Sequence, residues 1–397
     1  MKERIYLDHA STTPVAPTVL TAILPHFTQQ FGNASSRSHS FGWEAEQAVK
    51  DARVALAELL EVNPTELTFT SGSTEAINLA INGIAKNYAV EDCHLITTTN
   101  EHSAVLETHE TLENIGYSVT YLNSQADGTI DLSELVDAIQ PNTRLVSVLW
   151  ANNETGVLQD MEAIGALCKR KSLLLFADAT QVVGKIQCHP KSIGVHALAL
   201  SAHKFYGPKG VGALWHSSAA PRVVIRPQFT GGSQQTGLRP GTLNTPGIVG
   251  LGASAILAQE EMLTNANRLK DLRDYLEREL SARLEEVLIN GQSASRLPHI
   301  SNLSFRFTEA EALMSTFQRR LALSTGSACS SADLAPSHVL LAMGLSKEDA
   351  KSSLRISLGR DTNKEEITIA IDLIEKGVNE LRAESPTWEL FQDGILS

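Results

Sequence analysis

Between about residues 40 and 260, short β-rich runs, many of them apolar on both faces, alternate with amphipathic stretches, and this alternation restricts the chain more than any other feature. "ELTFT", "HLITT", "SVTYL", "RLVSVLW", "SLLLFAD" and "ALALSA" read as strands. Between several of them lie helix patterns: "SFGWEAEQAVKDARVALAELL", "TEAINLAINGIAKNY" and "MEAIGALCKRK". Strands that are apolar on both faces need cover on both faces, which predicts an α/β fold around a mainly parallel sheet. "GPKGVGALW" predicts a glycine-rich turn entering one more strand. After residue 260 the texture changes. "RLKDLRDYLERELSARLEEVLI" predicts a long charged helix, "ISNLSFRF" and "SSLRISLGR" predict strands, and "EEITIAIDLIEKGVNELRA" predicts a last helix. A large domain over 16–260 is expected, with a smaller α+β domain formed by 1–15 and 261–397.

A chain of 397 residues is long enough for two cores. The opening "MKERIYLDHASTTPVAP" has no apolar run of signal-peptide length, and runs such as "TRLVSVLWA" are too short to span a bilayer. A soluble, cytoplasmic protein without a membrane partner is expected. The formal charge of −12 argues against a direct nucleic-acid surface, because phosphate binding needs clustered Lys and Arg. Four cysteines, Cys93, Cys168, Cys188 and Cys329, form no CxxC pair, so neither a disulfide framework nor a zinc site is expected. Cys93 and Cys168 border apolar segments and read as core. Cys188 and His189 are adjacent, which alone defines no coordination geometry.

The chemistry gathers in "FADATQVVGKIQ" and "ALALSAHKFYGPKGVGALW". Asp178 ends one apolar strand, and Lys204 follows another, just after Ser201 and His203. Ligands of open α/β sheets bind at strand C-terminal ends, so both side chains can face one crevice. The pair reads either as a buried ion pair or as a pyridoxal 5'-phosphate (PLP) site. In the second case Lys204 forms the Schiff base and Asp178 keeps the pyridine nitrogen protonated. "FTSGSTEAINLAI" is strand, small polar turn, helix. Its Gly72, Ser73 and Thr74 either cap that helix or cradle a phosphate at its N-terminus. "STGSACSS" places Cys329 among small and hydroxylated neighbours, which suits a loop carrying a reactive sulfur and equally a plain loop cysteine.

"TSGSTEAINLAI", "NEHSAV", "ANNETGVLQD", "FADATQ", "SAHKFYGPKG", "LRPGT", "STGSACSS" and "SLRISLGR" occur in the order and approximate spacing of cysteine desulfurases. The chain therefore resembles, over nearly its whole length, the NifS/IscS-like branch of the class V aminotransferase-like PLP enzymes. "FGNASSRSHSFGWEAEQAV" and "ESPTWELFQDG" add to the likeness. The resemblance implies fold-type I, with a mainly parallel seven-stranded sheet, and a homodimer. It implies that Lys204 carries PLP and removes the substrate Cα proton. His102 would stack on the pyridine ring, Asp178 would pair with the ring nitrogen, and Gln181 would lie near the phenolic oxygen. Thr74, Ser201 and His203 would contact phosphate, with Thr242 reaching it from the other subunit. Asn153 and Arg355 would grip the substrate carboxylate, Arg355 as a two-pronged fork. Each has a plainer reading: His102 as an N-cap or surface residue, Asn153 as a turn residue, Arg355 as a strand-edge charge. One cofactor accounts for all of them together.

The implied reaction converts L-cysteine to L-alanine, with the substrate sulfur passing to Cys329 as a persulfide and then to a protein acceptor. That acceptor would serve iron–sulfur cluster assembly, tRNA thiolation or DNA phosphorothioation. The rival readings are a selenocysteine lyase or PLP-dependent aminotransferase, which would not need Cys329, and a non-catalytic partner-binding scaffold. Three departures from the common pattern stand out. His9 in "LDHASTTP" replaces an aromatic residue and is expected to alter the active-site rim. Gln234, Gln235 and Pro240 change the loop before Thr242. The sequence ends at "QDGILS", shortly after the "SPTWE" element, which weakens the expectation that an iron–sulfur scaffold is the main acceptor.

Overall fold

The computed structural model describes residues 4–325 and 335–396. Twelve strands among them are β1 Ile5–Tyr6, β2 Leu67–Thr70, β3 His94–Thr98, β4 Ser118–Leu122, β5 Thr143–Leu149 and β6 Leu174–Asp178. They continue as β7 Ala197–Ser201, β8 Gly212–His216, β9 Val287–Ile289, β10 Ile300–Phe305, β11 Leu321–Ala322 and β12 Ser353–Ser357. Seven form the central sheet in the order β2-β8-β7-β6-β5-β3-β4. The five strands β7, β6, β5, β3 and β4 run parallel, while β8 is antiparallel to both its neighbours. The mainly parallel seven-stranded sheet expected from the resemblance is therefore present.

The two-faced apolar runs do what their pattern requires. Leu175 and Ala177 of β6 and Leu198 and Leu200 of β7 join one core with the helices Ser40–Leu60 and Met161–Lys171. Leu174 and Phe176, with Ala197 and Ala199, point to the other face and join the helix Ser73–Ala85. Period-two alternation thus feeds two cores from one strand. Cys93, Cys168 and Cys188 are all buried, and burial pushes the Cys93 thiol up to about 11 and the Cys168 thiol up to about 12.

A second sheet, β12-β10-β9, is antiparallel and packs with the helices Ala310–Phe317 and Lys364–Ala383 around Leu303, Leu313, Ile356 and Ile371. The helix Thr245–Arg283 is one unbroken element of 39 residues and runs through residue 260. Its first half buries Ile248, Leu251 and Ala255 in the main core, and its second half buries Leu269, Leu276 and Leu280 in the other. The run "RLKDLRDYLERELSARLEEVLI", predicted as one helix, ends earlier. Leu284 leaves the helical region, Glu286 has φ 52°, and Val287–Ile289 pairs with β10, where β-branched side chains fit a pleat.

Residues 5–13 cross from one unit to the other. β1 pairs with β11, His9 N and Ala10 N donate to Ser357, and Thr13 N donates to His203 O at 2.9 Å. None of the helices among the described residues is long and apolar enough to cross a membrane.

Candidate active site

The sequence-predicted residues collect at the C-terminal ends of the parallel strands. His102 follows β3, Asn153 follows β5, Asp178 ends β6, and Ser201 to Lys204 lie at the end of β7. The crevice outside these ends is where an open sheet leaves backbone and side chains unpaired, hence where a ligand fits.

Lys204 closes a short 3-10 turn, Ala202–Lys204, directly after β7. Its Nζ donates to Ala10 O at 2.7 Å and to Ser11 O at 2.8 Å. Gln181 Nε2 donates to the same Ala10 carbonyl at 2.9 Å, so lysine and amide converge on one point of the crossing segment. Asp178 is buried, and its Oδ1 accepts from Thr180 N at 3.0 Å and from the Thr180 hydroxyl. That pair of donors fixes the carboxylate rotamer. His203 Nδ1 lies 3.1 Å from Thr12 Oγ1. Burial, with the charges of Lys204 and Lys209, pulls its imidazole down to about 4, so it is neutral at neutral pH.

Gly72 is the N-cap of the helix Ser73–Ala85 in extended conformation, and its side-chain face looks toward Ser201 Oγ. Gly212, paired with both Thr70 and Ser201, lets this turn lie close. A Cβ on Gly212 would come within 2.8 Å of Gly72 Cα. The first intrahelical bond is Ala76 N to Gly72 O, so the N–H groups of Ser73 and Thr74 precede the helical ladder. Among the described residues no side chain caps this helix start, which leaves the phosphate-cradle reading of Gly72, Ser73 and Thr74, with Gly72 beside Ser201. Glu75 in the same turn accepts from Ser71 N and pairs with Arg239 Nε at 2.8 Å, tying the helix start to the loop that carries Thr242. Thr242 itself is exposed.

His102 is the N-cap of the helix Ser103–Asn114, with Nδ1 accepting from Ala104 N at 3.1 Å. An accepting Nδ1 puts the proton of the neutral ring on Nε2. Arg355, on β12, is buried. Its Nη1 donates to Asn153 O at 2.9 Å, and its Nη2 to Asp8 Oδ1 at 2.8 Å and Ser11 Oγ at 2.7 Å. Asn153 thus meets Arg355 through its backbone carbonyl. Arg355 Nε is buried without a hydrogen-bond partner among the described residues. The backbone of Arg355 pairs with Ser324, five residues before Cys329. Cys329 lies outside the described residues.

Four positions carry weight that the motifs did not signal. Asp8 and Ser11 hold the Arg355 fork, from a stretch read only as rim. Glu101 is fully buried beside the end of β5. Its Oε1 accepts from Leu149 N at 2.6 Å, Oε2 has no partner among the described residues, and burial with the nearby Asp178 charge holds its carboxyl well above the usual range. Glu154 is buried next to Arg355 and accepts from Ser337 Oγ at 2.6 Å. The acidic letters of "NEHSAV" and "ANNETGV" were visible, but no spacing rule separates a buried Glu from a surface one. His9 differs from expectation: it does not form a rim but is buried against Gly359, with its ring edge-on to Tyr6 at 4.9 Å.

Residues 5–369 match the Aminotransferase class-V family. A cysteine desulfurase IscS of Methylococcus capsulatus is 47% identical over 395 residues, covering 100% of this chain and 97% of the relative. This chain is a member of the cysteine desulfurase family. Among solved structures, a NifS-like protein superposes on the desulfurase-family chain with TM-score 0.88 at 34% identity, covering 95% of this chain and all of the other. SspA, solved in complex with cysteine, gives TM-score 0.77 at 35% identity, covering 89% of this chain and 98% of the other.

The donor set fits the PLP that this family implies. A lysine amine, a buried carboxylate beyond it, and a helix start flanked by two hydroxyl residues and a neutral His are arranged along one crevice, as a group with an aldehyde, a basic ring nitrogen and a phosphate requires.

Proposed function

We propose that the chain is a PLP-dependent cysteine desulfurase that converts L-cysteine to L-alanine and passes the sulfur to Cys329. The observation that carries this reading is the convergence of Lys204, Gln181 and the Arg355–Ser11 contact on residues 10–11. One short stretch of backbone sets the lysine and the carboxylate-binding arginine side by side. Bound PLP would supply the electron sink that makes the substrate Cα–H bond acidic. Lys204, Asp178, Gln181, Ser201, His203, His102 and the start of the helix at Gly72, Ser73 and Thr74 would hold it.

Arg355 binds the substrate carboxylate along the edge shared by Nε and Nη2, the carboxylate replacing Ser11 Oγ, while Asp8 and Asn153 O keep the guanidinium plane fixed. Lys204 Nζ, once released from the two carbonyls, takes the Cα proton and can return it. The Cys329 thiolate attacks the substrate sulfur. An S–S bond forms as the substrate C–S bond breaks, the electron pair passes to the former Cβ, and protonation there completes alanine. Nucleophilic attack requires the thiolate form. In this reading residues 16–260 hold the cofactor, and 1–15 with 261–397 supply Arg355 and Cys329.

A homodimer is part of this reading. Thr242 is exposed on a loop pinned by Arg239–Glu75, so it can serve a neighbour's phosphate. Phe27, Phe31, Phe41 and Trp43 are large exposed apolar side chains, with Phe31 and Phe41 rings 5.5 Å apart, as a subunit contact would use. A cytoplasmic location, a protein sulfur acceptor and no direct nucleic-acid contact complete the proposal. The cysteine complex of SspA supports the substrate assignment.

The test is mass spectrometry after brief incubation with L-cysteine without reductant, alongside alanine quantitation. One added sulfur on Cys329 is expected, absent from Cys329→Ala, which keeps the PLP absorbance. Lys204→Ala should lose that absorbance and all turnover. Full sulfide release by Cys329→Ala would overturn the persulfide role.

A further inference from the structure

A cavity of about 20 Å³ is bordered by the Gly184–Lys185 turn, Tyr206, His299 and the helix Thr245–Arg283. That is room for one guest of about water size. Its polar lining is unusual in sign. Lys185 is 6% exposed and His299 is 1% exposed, yet Lys185 Nζ and both His299 ring nitrogens have no hydrogen-bond partner among the described residues. His9, next in line toward the site, has an unpartnered Nδ1 as well. Lys185 sits 4.4 Å over the Tyr206 ring, and the Arg360 guanidinium lies 5.8 Å from that same ring. Glu261 is the one carboxylate lining the cavity, and it is half exposed at the edge with Arg360 Nε 3.7 Å away.

A buried ammonium without a counter-charge, beside a second orphaned donor, is an arrangement that proteins rarely leave unanswered. We propose that this cavity is a binding site for one monatomic anion of the chloride–bromide class, held by Lys185 Nζ and His299. A carboxylate or phosphate is too large for the space, and a neutral guest would leave Lys185 uncompensated whenever its amine is protonated. The cation–π contact with Tyr206 orients the ammonium but supplies no lone pair. The site is separate from the residues proposed to act on cysteine and does not depend on that reading.

The charge logic gives the site a pH signature. Burial brings the Lys185 ammonium down to about 7. The other titratable groups facing it stay neutral near that pH: burial and the Lys185 charge lower His299 far and His9 to about 4, and burial raises the Tyr206 phenol to about 12. Arg360 and Glu261 also line the cavity, Arg273 and Arg355 act on His299, and Asp361 acts on His9. Anion binding then takes up one proton on Lys185, so affinity should fall about tenfold from pH 6 to pH 8.

The experiment uses the full-length purified protein. Bromide is titrated at millimolar concentration while its NMR line width is followed, and crystals are soaked in sodium bromide for anomalous diffraction. Saturable broadening, weaker at pH 8, is expected, with one bromide peak against Lys185 Nζ. Lys185→Met should abolish both, and Lys50→Met, a surface control, neither. If Lys185→Met does not fold by circular dichroism, His299→Asn serves, with weakened broadening expected. Absence of a bromide peak, or broadening unchanged in Lys185→Met (or in His299→Asn where that variant serves), overturns the proposal.

Discussion

Gln235 permits a sharp test of how the loop before Thr242 is held. Both Gln235 (φ 49°) and Thr236 (φ 59°) sit in the left-handed region, which non-glycine residues occupy at a cost of about 1 kcal/mol each. The side chain of Gln235 acts as a surrogate strand on the open edge of β2. Its Oε1 accepts from Phe69 N at 2.6 Å and its Nε2 donates to Phe69 O at 2.8 Å. Arg53 Nη2 reaches the same Oε1 at 3.4 Å, with its guanidinium 4.6 Å over the Phe69 ring. Gln235→Ala removes both edge bonds and leaves a backbone N–H and C=O of a buried residue to find water. The cost is about 1–3 kcal/mol of local stability. That corresponds to roughly 5- to 150-fold faster opening of the β2 edge. Gln235→Glu keeps the acceptor for Phe69 N but sets a carboxylate oxygen against Phe69 O, where the amide had donated at 2.8 Å. It should therefore also loosen the β2 edge, by about 1 kcal/mol or more. Hydrogen exchange of a peptide spanning Leu67–Thr70, read by mass spectrometry, measures both. Equal exchange in wild type and Gln235→Ala, or Gln235→Glu exchanging as slowly as wild type, would refute the surrogate-strand account.

Other perturbations follow the same logic. Ser337 both caps the helix His338–Ala342 and donates to the buried Glu154, so Ser337→Ala should cost about 1–3 kcal/mol in urea unfolding while Ser337→Thr restores most of it; equal loss in both would count against the hydroxyl's role. His109 is fully buried with Nε2 unpartnered, and burial lowers it to about 4. Because the folded state resists its protonation, it contributes no penalty above pH 6.5, and about 3 kcal/mol of stability is lost as pH falls from 6.5 toward 4. His109→Gln should flatten that acid limb by about one proton's slope in unfolding curves taken at a series of pH values; an unchanged slope would contradict the burial argument. Asp8→Ala leaves the buried Arg355 guanidinium without its counter-charge and should destabilise by about 3–5 kcal/mol, checked by thermal unfolding, with Asp8→Asn milder.

The central sheet was legible because a parallel strand covered on both faces must be apolar in both registers, and few other structures need that. The inner strands "RLVSVLW", "SLLLFAD" and "ALALSA" were visible for that reason, whereas the edge strand "SVTYL" is only partly buried. The chemistry was legible where a residue follows a strand end, as with Asp178 and Lys204, since topology then dictates its neighbourhood. Contacts between distant segments were not. Asp8 and Ser11 meet Arg355 across more than 340 positions of sequence, and nothing in "LDHAST" announces a partner. The same holds for His9: its ring fits only because Gly359 has no side chain, and that fit is a property of two places at once. Helix ends were misjudged where a local backbone turn at Glu286 and a strand partner outweighed an amphipathic pattern.

The 39-residue helix Thr245–Arg283, roughly 58 Å of continuous rod, has one end embedded in each core. Mechanically it is a lever as much as a connector. A tilt of only about 5° at one embedded end would sweep the other by about 5 Å, the full width of a substrate. The crossing segment 5–13 is a second tie between the same two bodies, so any such tilt must also strain the carbonyls at Ala10 and Ser11. Lys204 and Arg355 therefore stand on a doubly braced frame, and a change anywhere along that rod is felt as a change in the gap between them.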